Sequence, residues 1–370
     1  MKVLHINSYY GGGMLYKNIY DRQVSNGIPI NVYVPLPLTT DLSHLQLGDY
    51  TTVSKNHNKY DRYLFHVKHR KIYKDLIKNF RMDTYSLVHA HTLFSNGYIA
   101  LQTKKFFGIP YVVAVRNTDV NQFFKRRVLL RKLGIEILME AEAIIFLSDS
   151  YKKIVVEKYI PQKNKQEVLE KSIIIPNGID KFWFENIGKP KTLSQPRGLN
   201  AIFIGDVNNN KNILTSAKAL KILEDKGYNI KFTVVGKISN KQVYEELMKF
   251  SFVKYLKPQP KESLLEMYRS HDIFVMPSLT ETFGLVYAEA MSQGLPLIYS
   301  KGQGFDGQFE EGQVGYHVDS LDPGMVSDRI IDIMNDYEVI SKNCLALVGK
   351  FNWDKLVAQY DEVYAKALKK

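Results

Sequence analysis

Two series of short apolar segments alternate with longer segments of helical periodicity, and this alternation is what most constrains the fold of the chain. Short runs rich in valine and isoleucine are typical of β-strands, and their alternation with helices predicts βαβ units and parallel sheets. In the first series the predicted strands are Val3–Asn7, Ile30–Val34, Leu87–Ala90, Tyr111–Val115, Ala143–Leu147 and Ser172–Ile175. The helices predicted between them include Asn96–Phe107 and Val128–Glu140.

The pattern begins again near residue 198. Its predicted strands are Leu199–Ile204, Ile230–Val235, Asp272–Met276 and Leu295–Tyr299, and its predicted helices are Asn212–Lys226, Lys241–Phe250, Lys261–His271 and Thr282–Gln293. The glycine- and proline-containing residues 186–197 between the two series read as a linker. We therefore predict a first α/β domain over 1–185, that linker, and a second α/β domain over 198–353.

The end of the chain is predicted to be an amphipathic helix. Within residues 353–370 the apolar positions recur at helical spacing, and they are Leu356, Val357, Tyr360, Val363, Tyr364 and Leu368.

The cysteine content and the lack of long apolar segments indicate the compartment in which the protein is expected to work. The single cysteine, Cys344, allows no intramolecular disulfide and favours a reducing compartment. The first residues are too short and too polar for a signal peptide, and no apolar run reaches about 18 residues. We expect a cytoplasmic protein that is soluble or peripheral on the inner face of the cell membrane.

The positive charge is unevenly distributed. The net charge of +12 arises almost entirely from residues 1–185, which hold 27 Lys/Arg and 16 Asp/Glu, against 23 and 22 in the remainder. Two segments concentrate the cations: a predicted helix with Ile72, Leu76 and Phe80 on its apolar side, and a segment in which Phe123 and Phe124 precede three cations. Together they predict binding to an anionic membrane surface through Lys68, Arg70, Lys71, Lys74, Lys78, Lys125, Arg126 and Arg127.

The same positive charge is compatible with two alternatives to a membrane. The cations can simply form a solvated surface. Nucleic acid is a third possible partner on charge alone, but no nucleic-acid-binding motif or aromatic platform supports it, and none is expected.

Two glutamates at a defined spacing form the most informative motif. Glu281 and Glu289 follow a predicted strand, and on a helix eight residues span about 12 Å with a turn of about 80°, so both can face one ligand. An extended ligand such as a nucleotide-sugar has hydroxyl groups at both ends. Free N–H groups at the helix start, at Thr282, Phe283 and Gly284, suit a diphosphate. The alternative is a helix cap and a solvated glutamate.

The segment from Glu281 to Pro296 resembles the glutamate–x7–glutamate signature of the retaining family 4 glycosyltransferases of GT-B fold. Weaker resemblances occur in the expected order along the whole chain: Gly11–Gly13, His89–His91, Arg116–Asp119, Ile175–Asp180 and Phe351–Trp353. The resemblance implies two Rossmann-like doubly wound domains that face each other across a cleft. It also implies that the C-terminal helix, 354–370, returns to the first domain.

The resemblance further implies an activity. Such enzymes move a sugar from a UDP- or GDP-linked donor, with retention at the anomeric carbon and without a metal or another cofactor. The acceptor is expected to be a carbohydrate, lipid-linked, in cell-envelope or exopolysaccharide biosynthesis. Hexosyl transfer, with UDP as the preferred carrier, is the expected reaction.

Individual roles follow from the same resemblance. Glu281 contacts the donor sugar, Glu289 the ribose, and Lys211 neutralises the diphosphate. His91 lies near the donor sugar or the acceptor. The further donor-binding residues are Thr282, Phe283, Gly284, Leu285, Gly12, Gly13, Asn177 and Arg116.

The chain departs from the family pattern at two positions. Asp206 occupies the place of a common arginine five residues before Lys211, where a carboxylate would repel a diphosphate. Lys237 or Arg116 could supply the missing cation. Asn117 replaces a glycine, a mild change because asparagine tolerates left-handed backbone. Asp206 therefore leaves open the alternative of a catalytically impaired nucleotide-sugar-binding paralogue. A two-lobed nucleotide-sugar epimerase of similar fold is a separate alternative.

Overall fold

The computed structural model describes residues 1–11, 14–43, 45, 47–193, 195 and 197–369. The chain divides into two compact units. The first contains residues up to Asn177 together with those from Trp353 onward, and the second runs from Gly178 to Asn352. Within the described residues, none of the helices combines the length and apolarity required to span a bilayer.

Each unit is built on one parallel β-sheet. The strands of the first are β1 (Val3–Ile6), β2 (Ile30–Pro37), β3 (Thr51–His57), β4 (Leu87–Ala90), β5 (Tyr111–Val115), β6 (Ala143–Phe146) and β7 (Ser172–Ile174). Those of the second are β8 (Gly198–Ile204), β9 (Asn229–Val235), β10 (Val253–Leu256), β11 (Ile273–Val275), β12 (Leu297–Ser300) and β13 (Gly315–Val318). The strand orders are β3-β2-β1-β4-β5-β6-β7 and β10-β9-β8-β11-β12-β13.

Fourteen α-helices of the described chain connect or follow these strands. They are α1 (Met14–Ser25), α2 (Phe65–Asn79), α3 (Ser95–Phe107), α4 (Arg131–Glu140), α5 (Asp149–Tyr159), α6 (Gln162–Glu170), α7 (Lys181–Glu185), α8 (Ile213–Asp225), α9 (Lys241–Leu247), α10 (Lys261–Ser270), α11 (Leu285–Ser292), α12 (Pro323–Asn335), α13 (Tyr337–Leu347) and α14 (Trp353–Ala367). Short 3₁₀ turns occur at Lys59–Tyr63, Met82–Thr84, Val128–Leu130 and Val348–Phe351, and a π-helical turn at Asp119–Phe124.

The predicted α/β architecture with two doubly wound parallel sheets is confirmed. The strands that the sequence shows best are the central ones, because β1, β4, β5 and β6 are buried along their whole length and therefore consist of apolar residues, with His5 and His89 as the exceptions. In each sheet the strand order reverses once, between β1 and β4 and between β8 and β11. Loops that leave the carboxyl ends of strands at such a point are the usual ligand sites of these sheets.

Three strands were not predicted, and all three are edge strands. β3, β10 and β13 lie at the ends of their sheets and are only partly buried, so they lack an unbroken apolar run. Two helix starts were also predicted wrongly. Val128–Leu130 is a 3₁₀ turn that precedes α4, and α11 begins at Leu285 rather than at residue 282.

The boundary of the first unit lies before that of the predicted domain. The first unit ends at Asn177, because residues from Gly178 onward belong to the second unit. Ile179 and Trp183 are almost fully buried in the core of the second unit.

The C-terminal helix belongs to the core of the first unit. Leu356, Val357, Tyr360, Val363 and Tyr364 of α14 are buried together with residues of β1, β2 and β5. Leu368, predicted as another apolar position, follows the end of the helix and is exposed. The first unit is therefore completed by a segment that follows the second unit in sequence.

Shortening Leu356 to alanine should destabilise the first unit. Leu356 is fully buried, and a buried leucine-to-alanine change costs about 2–5 kcal/mol. The chain has two tryptophans, Trp353 in the first unit and Trp183 in the second. In a Trp183→Phe background, the fluorescence of Trp353 during urea unfolding should report a lower midpoint for Leu356→Ala. The exposed Lys355→Ala serves as the control, and equal midpoints for the two variants would contradict this packing.

Candidate functional site

Two loops meet at the carboxyl edge of the second sheet. Strands β8 and β11 are hydrogen-bonded neighbours at the point where the strand order reverses. One loop follows β8 and carries Asp206 and Lys211, and the other follows β11 and carries Glu281. The topology therefore brings together two segments that are about 70 residues apart in sequence, as measured between Lys211 and Glu281.

An ion pair connects the two loops. The Lys211 ammonium lies 2.5 Å from a carboxylate oxygen of Glu281. The side chains retain only 23% and 11% of their possible exposure, so water screens the pair less than it screens a surface pair. The two groups predicted to contact the diphosphate and the sugar thus lie in direct contact with each other.

Asparagines of the first loop bind the backbone of the second. The Asn210 carbonyl accepts from the Leu279 N–H at 2.8 Å, and its side-chain amide donates to the Thr280 carbonyl at 2.9 Å. The Asn212 amide donates to the Pro277 carbonyl at 2.9 Å. Asn212 has a φ of 54° and is the described non-glycine residue with positive φ, a conformation that asparagine tolerates. These bonds hold the Glu281 loop against the Lys211 loop.

A third segment supports the Glu281 loop from the end of β12. The Gln303 side-chain oxygen accepts from the Glu281 N–H at 3.0 Å, and the Gly304 N–H donates to the Glu281 carbonyl at 3.1 Å. A Cβ at position 304 would lie 1.8 Å from the Thr282 carbonyl oxygen, so only glycine fits there. Sequence reasoning missed this support. Its only signal is the pair Gly302 and Gly304 directly after an apolar strand.

The helix that was predicted to carry both glutamates carries only Glu289. The prediction that α11 begins at Thr282 is wrong, because Gly284 has a φ of 76° and interrupts the helix. A Cβ at Gly284 would lie 2.5 Å from the Tyr287 ring. Glu281 therefore belongs to a loop, and the distance of about 12 Å along one helix does not apply to its separation from Glu289.

Backbone N–H groups are available beside this loop. The N–H groups of Phe283, Gly284 and Leu285 donate to no acceptor within the described chain. The Thr282 N–H, in contrast, donates to Glu281 Oε1 at 3.1 Å. The Phe283 side chain is buried against Phe305 and Phe351, so its backbone is what remains for a ligand. Consecutive free N–H groups at a helix start favour an anion.

Glu289 lies on α11 and is largely withdrawn from water. Its carboxylate is next to the Tyr268 hydroxyl and the Trp183 indole, with Lys261 and Asp180 also close. Burial raises its pKa from the ordinary 4.5 to about 7, although Lys261 opposes this shift. The buried Trp183 N–H lies near enough to stabilise the carboxylate, yet it makes no full hydrogen bond within the described chain. A carboxylate and an indole donor side by side suit a ligand that carries hydroxyl groups.

Asp206 is exposed and bonded away from Lys211. Its carboxylate accepts from the Ser239 hydroxyl at 3.3 Å. Lys237 lies on the adjacent segment, since its carbonyl accepts from the Val207 N–H, and the Lys237 side chain is exposed. It forms no ion pair with the described part of the chain, so its ammonium is accessible beside the loop.

In the first unit Asp119 joins the ends of β4 and β5. Its carboxylate accepts from the N–H groups of Leu93, Phe94 and Arg116 at 2.9–3.1 Å. Burial raises the pKa of Asp119 to about 6, and the three N–H groups limit the shift. Arg116 is 7% exposed and donates to the His91 carbonyl at 3.3 Å. Arg116 therefore holds the end of β4 through this hydrogen bond, and it is also the cation that was predicted to bind the donor.

His91 is one of three fully buried histidines. Its Nε2 lies 3.0 Å from His5 Nδ1 and 3.0 Å from the Tyr20 hydroxyl, and His89 Nδ1 lies 2.6 Å from the Tyr364 hydroxyl. Burial lowers the pKa of His91 well below its ordinary value, and the neighbouring histidines add to this. At neutral pH the ring is uncharged. The structure thus gives His91 a packed, hydrogen-bonded position.

The same three histidines have nitrogens within 4.8 Å of one another, as histidines that share a metal ion can have. One nitrogen of each already faces a histidine or a tyrosine. The sequence-based prediction of no metal stays a prediction.

The remaining predicted residues are placed as follows. Asn177 is 9% exposed and is the last residue of the first unit. Gly12 and Gly13 lie outside the described residues.

The raised pKa of Glu289 predicts a pH-dependent stability. Between about pH 4.5 and pH 7 the folded chain holds a proton that the unfolded chain has released, so the free energy of unfolding falls as pH rises through this window. Glu289→Gln removes this dependence. Its stability relative to the wild type should therefore rise over the window by up to about 3 kcal/mol and stay constant above pH 7. Urea unfolding at pH 5, 6, 7 and 8 measures this, with the exposed Glu338→Gln as a control that should show no such trend.

The chain matches two family models, one for each unit. Residues 10–181 match the model described as Glycosyltransferase Family 4, and residues 187–344 match that described as Glycosyl transferases group 1. A D-inositol 3-phosphate glycosyltransferase of Corynebacterium urealyticum is 25% identical over 303 residues, which cover 76% of this chain and 71% of that protein.

Solved structures share the fold at low identity. Sucrose-phosphate synthase from Thermosynechococcus elongatus has a TM-score of 0.73 and 18% identity, with 99% of this chain and 98% of that chain covered. An Anabaena protein in complex with UDP and glucose has a TM-score of 0.66 and 15% identity, with 99% of each chain covered. Two parallel-sheet α/β units, the paired Lys211 and Glu281, and these matches agree: the chain belongs to the group 1, family 4 glycosyltransferases of GT-B fold.

Proposed function

We propose that this glycosyltransferase moves a hexosyl group from a UDP- or GDP-linked donor to a carbohydrate acceptor with retention at the anomeric carbon. The contact between Lys211 and Glu281 carries the proposal. It brings a cation suited to a diphosphate and a carboxylate suited to sugar hydroxyls to one sheet edge, beside free N–H groups.

The donor would replace contacts that the protein makes with itself. On binding, the Lys211 ammonium turns from Glu281 to the diphosphate, and the N–H groups of Phe283, Gly284 and Leu285 bind phosphate oxygens. Glu281 then accepts from hydroxyl groups of the sugar. Glu289, beside Tyr268 and Trp183, accepts from the ribose. Each charged group exchanges one partner for another.

The proposed chemistry needs no nucleophile from the protein. The bond between the anomeric carbon and the diphosphate oxygen breaks, and the acceptor oxygen forms its bond on the same face of the sugar. The acceptor proton passes to an oxygen of the departing diphosphate. Negative charge grows on that diphosphate, so the fixed charge of Lys211 and the N–H groups lowers the barrier. These groups can fill the role of a metal ion, and we propose a metal-independent reaction.

Related proteins support the donor class. The Anabaena structure contains UDP and glucose, and a second structure of it contains UDP-glucose. The corynebacterial relative is named for transfer to D-inositol 3-phosphate, which makes a polar acceptor reasonable for this chain too.

A lipid-linked acceptor on the inner face of the cell membrane completes the proposal. Six of the eight cations predicted to face a membrane are exposed in the first unit, whereas Lys68 and Arg127 are half-buried. Lys68 is withdrawn far enough from water that burial lowers its pKa. We propose a cytoplasmic, peripheral enzyme of polysaccharide biosynthesis.

Nucleotide binding separates the roles of the two glutamates. In a thermal-shift series with UDP, GDP, ADP and their glucose and mannose conjugates, a ligand at about 100 times its Kd should raise the Tm by about 5–10 °C. Glu289→Ala should lose the shift from the nucleotide itself. Glu281→Ala should keep that shift but lose the increment from the sugar. Glu338→Ala, exposed on α13, should keep both, and an absence of any shift in the wild type would refute the proposed donor class.

Removing the Lys211 charge should slow transfer. Because Lys211 is the partly buried cation at this sheet edge, Lys211→Met should lower kcat/KM by about 100-fold or more. Lys231→Met, exposed on β9, is the matched control and should leave the rate unchanged. Donor turnover is measured as UDP or GDP release, and the anomeric configuration of the product is read by NMR. An inverted product would contradict retention, and release of an epimerised donor without acceptor would favour the epimerase alternative.

A further inference from the structure

A fully exposed leucine marks a short cationic turn of the first unit. Leu129 retains 97% of its possible exposure and its neighbour Val128 retains 57%. Both lie in the 3₁₀ turn Val128–Leu130, and Leu130 packs onto the core and anchors the turn. Single exposed apolar residues are common on proteins, but adjacent ones at the tip of a turn are unusual.

A second exposed apolar segment lies against this turn. Tyr60, Tyr63 and Leu64 retain 78%, 65% and 59% of their possible exposure. The Arg127 guanidinium donates to the Arg62 carbonyl at 3.3 Å and so ties the two segments together. We call these five residues, Tyr60, Tyr63, Leu64, Val128 and Leu129, the apolar tip.

Positive charge surrounds the apolar tip. Lys125, Arg126 and Lys132 are exposed on one side, and Lys59 and Arg62 on the other. Residues 120–135 contain no aspartate or glutamate. Asp61, the acidic residue of the second segment, is paired with Lys71 at 2.7 Å. The cations that border the apolar tip are therefore opposed by Asp61 alone in these two segments, and that carboxylate is already paired with Lys71.

The aromatic residues named from the sequence have another role. Phe124 is fully buried, and Phe123 stacks on Phe94 with ring centroids 4.6 Å apart. Phe123 and Phe124 therefore attach this segment to the core. The exposed apolar side chains are Val128 and Leu129, which follow them in sequence.

We propose that the apolar tip enters the headgroup region of an anionic lipid bilayer while the surrounding cations bind lipid phosphates. Tyrosines favour the membrane interface because their rings are amphipathic, and leucine and valine gain from leaving water. Lysine and arginine near the surface add attraction to anionic lipid. A nucleic acid would use the cations but gives an aliphatic tip no partner, so the chemistry of the surface favours a bilayer. The apolar tip would supply the membrane contact of the proposed function. The inference rests on the proposed function only for its biological purpose.

Vesicle flotation of the full chain tests the site. Vesicles of phosphatidylglycerol and phosphatidylcholine should bind the wild type at low salt, with binding that weakens as NaCl is added, while pure phosphatidylcholine should bind it weakly. Val128→Ser/Leu129→Ser should reduce partitioning by about 10-fold or more. Leu321→Ser, which changes a 73%-exposed leucine of the second unit, should have no effect.

Two further measurements decide between insertion and charge alone. Leu129→Trp should show a blue-shifted emission and quenching by brominated lipid when anionic vesicles are added. Lys125→Gln/Arg126→Gln should weaken binding, and Lys163→Gln/Lys355→Gln should not. Binding that is equal for the wild type and the Val128/Leu129 variant, or an unshifted emission, would overturn insertion of the tip. Preference for an RNA oligonucleotide over anionic vesicles would overturn the site as a lipid surface.

The nucleotide thermal shift of the same variants keeps the two proposals distinct. A variant that loses vesicle binding but keeps both its shift with the preferred nucleotide and the urea midpoint reported by Trp353 is folded in both units, so its loss is specific to the apolar tip. A wild type that binds vesicles but no nucleotide would refute the proposed donor while leaving the lipid site intact.

Discussion

The pairing of Lys211 with Glu281 is the interaction on which the site in the second unit depends. Each group is mostly withdrawn from water, and a buried charge without a partner costs several kcal/mol. Without a ligand, the Lys211 ammonium and the Glu281 carboxylate meet this requirement by pairing with each other. In the proposed binding mode a nucleotide-sugar would meet it differently, with a diphosphate for the ammonium and hydroxyl groups for the carboxylate. Binding can then proceed by exchange of partners, without leaving either charge unpaired.

This exchange requires loops that are already in place. Asn210 and Asn212 bind the carbonyls of the Glu281 loop from one side, and Gln303 and Gly304 bind Glu281 itself from another. These bonds fix the first part of the loop, up to Glu281, and leave the N–H groups from Phe283 to Leu285 for a ligand. A side chain held in this way loses little conformational freedom when it binds, which favours both affinity and catalysis.

The sequence predicts the features that depend on neighbouring residues, and it does not predict those that depend on contacts between distant segments. The central strands were predictable because burial on both faces makes them mostly apolar, and parallel order then places the ends of β8 and β11 at one edge. The start of α11 was not predictable from helix propensity, since the conformation of Gly284 depends on the ring of Tyr287 and on the neighbouring loop. Gln303 contacts Glu281 across 22 residues, and no periodicity signals such a contact. The edge strands β3, β10 and β13 escaped prediction because partial burial leaves no apolar run.

The effect of Asp206, which replaces a common arginine, depends on how its repulsion of a diphosphate compares in size with the attraction by Lys211. An exposed carboxylate such as Asp206 interacts with a charge 4 Å away by about 1 kcal/mol in water, whereas a partly buried ammonium acts at an effective dielectric constant of about 20 and contributes about 4 kcal/mol at the same distance. Asp206 is exposed and bonded to Ser239, and Lys211 is partly buried. Attraction by Lys211 therefore outweighs repulsion by Asp206, and the accessible Lys237 and the free N–H groups add to it. The substitution should weaken the hold on the diphosphate without abolishing it, so Asp206 argues for a less tightly bound donor and not against catalysis.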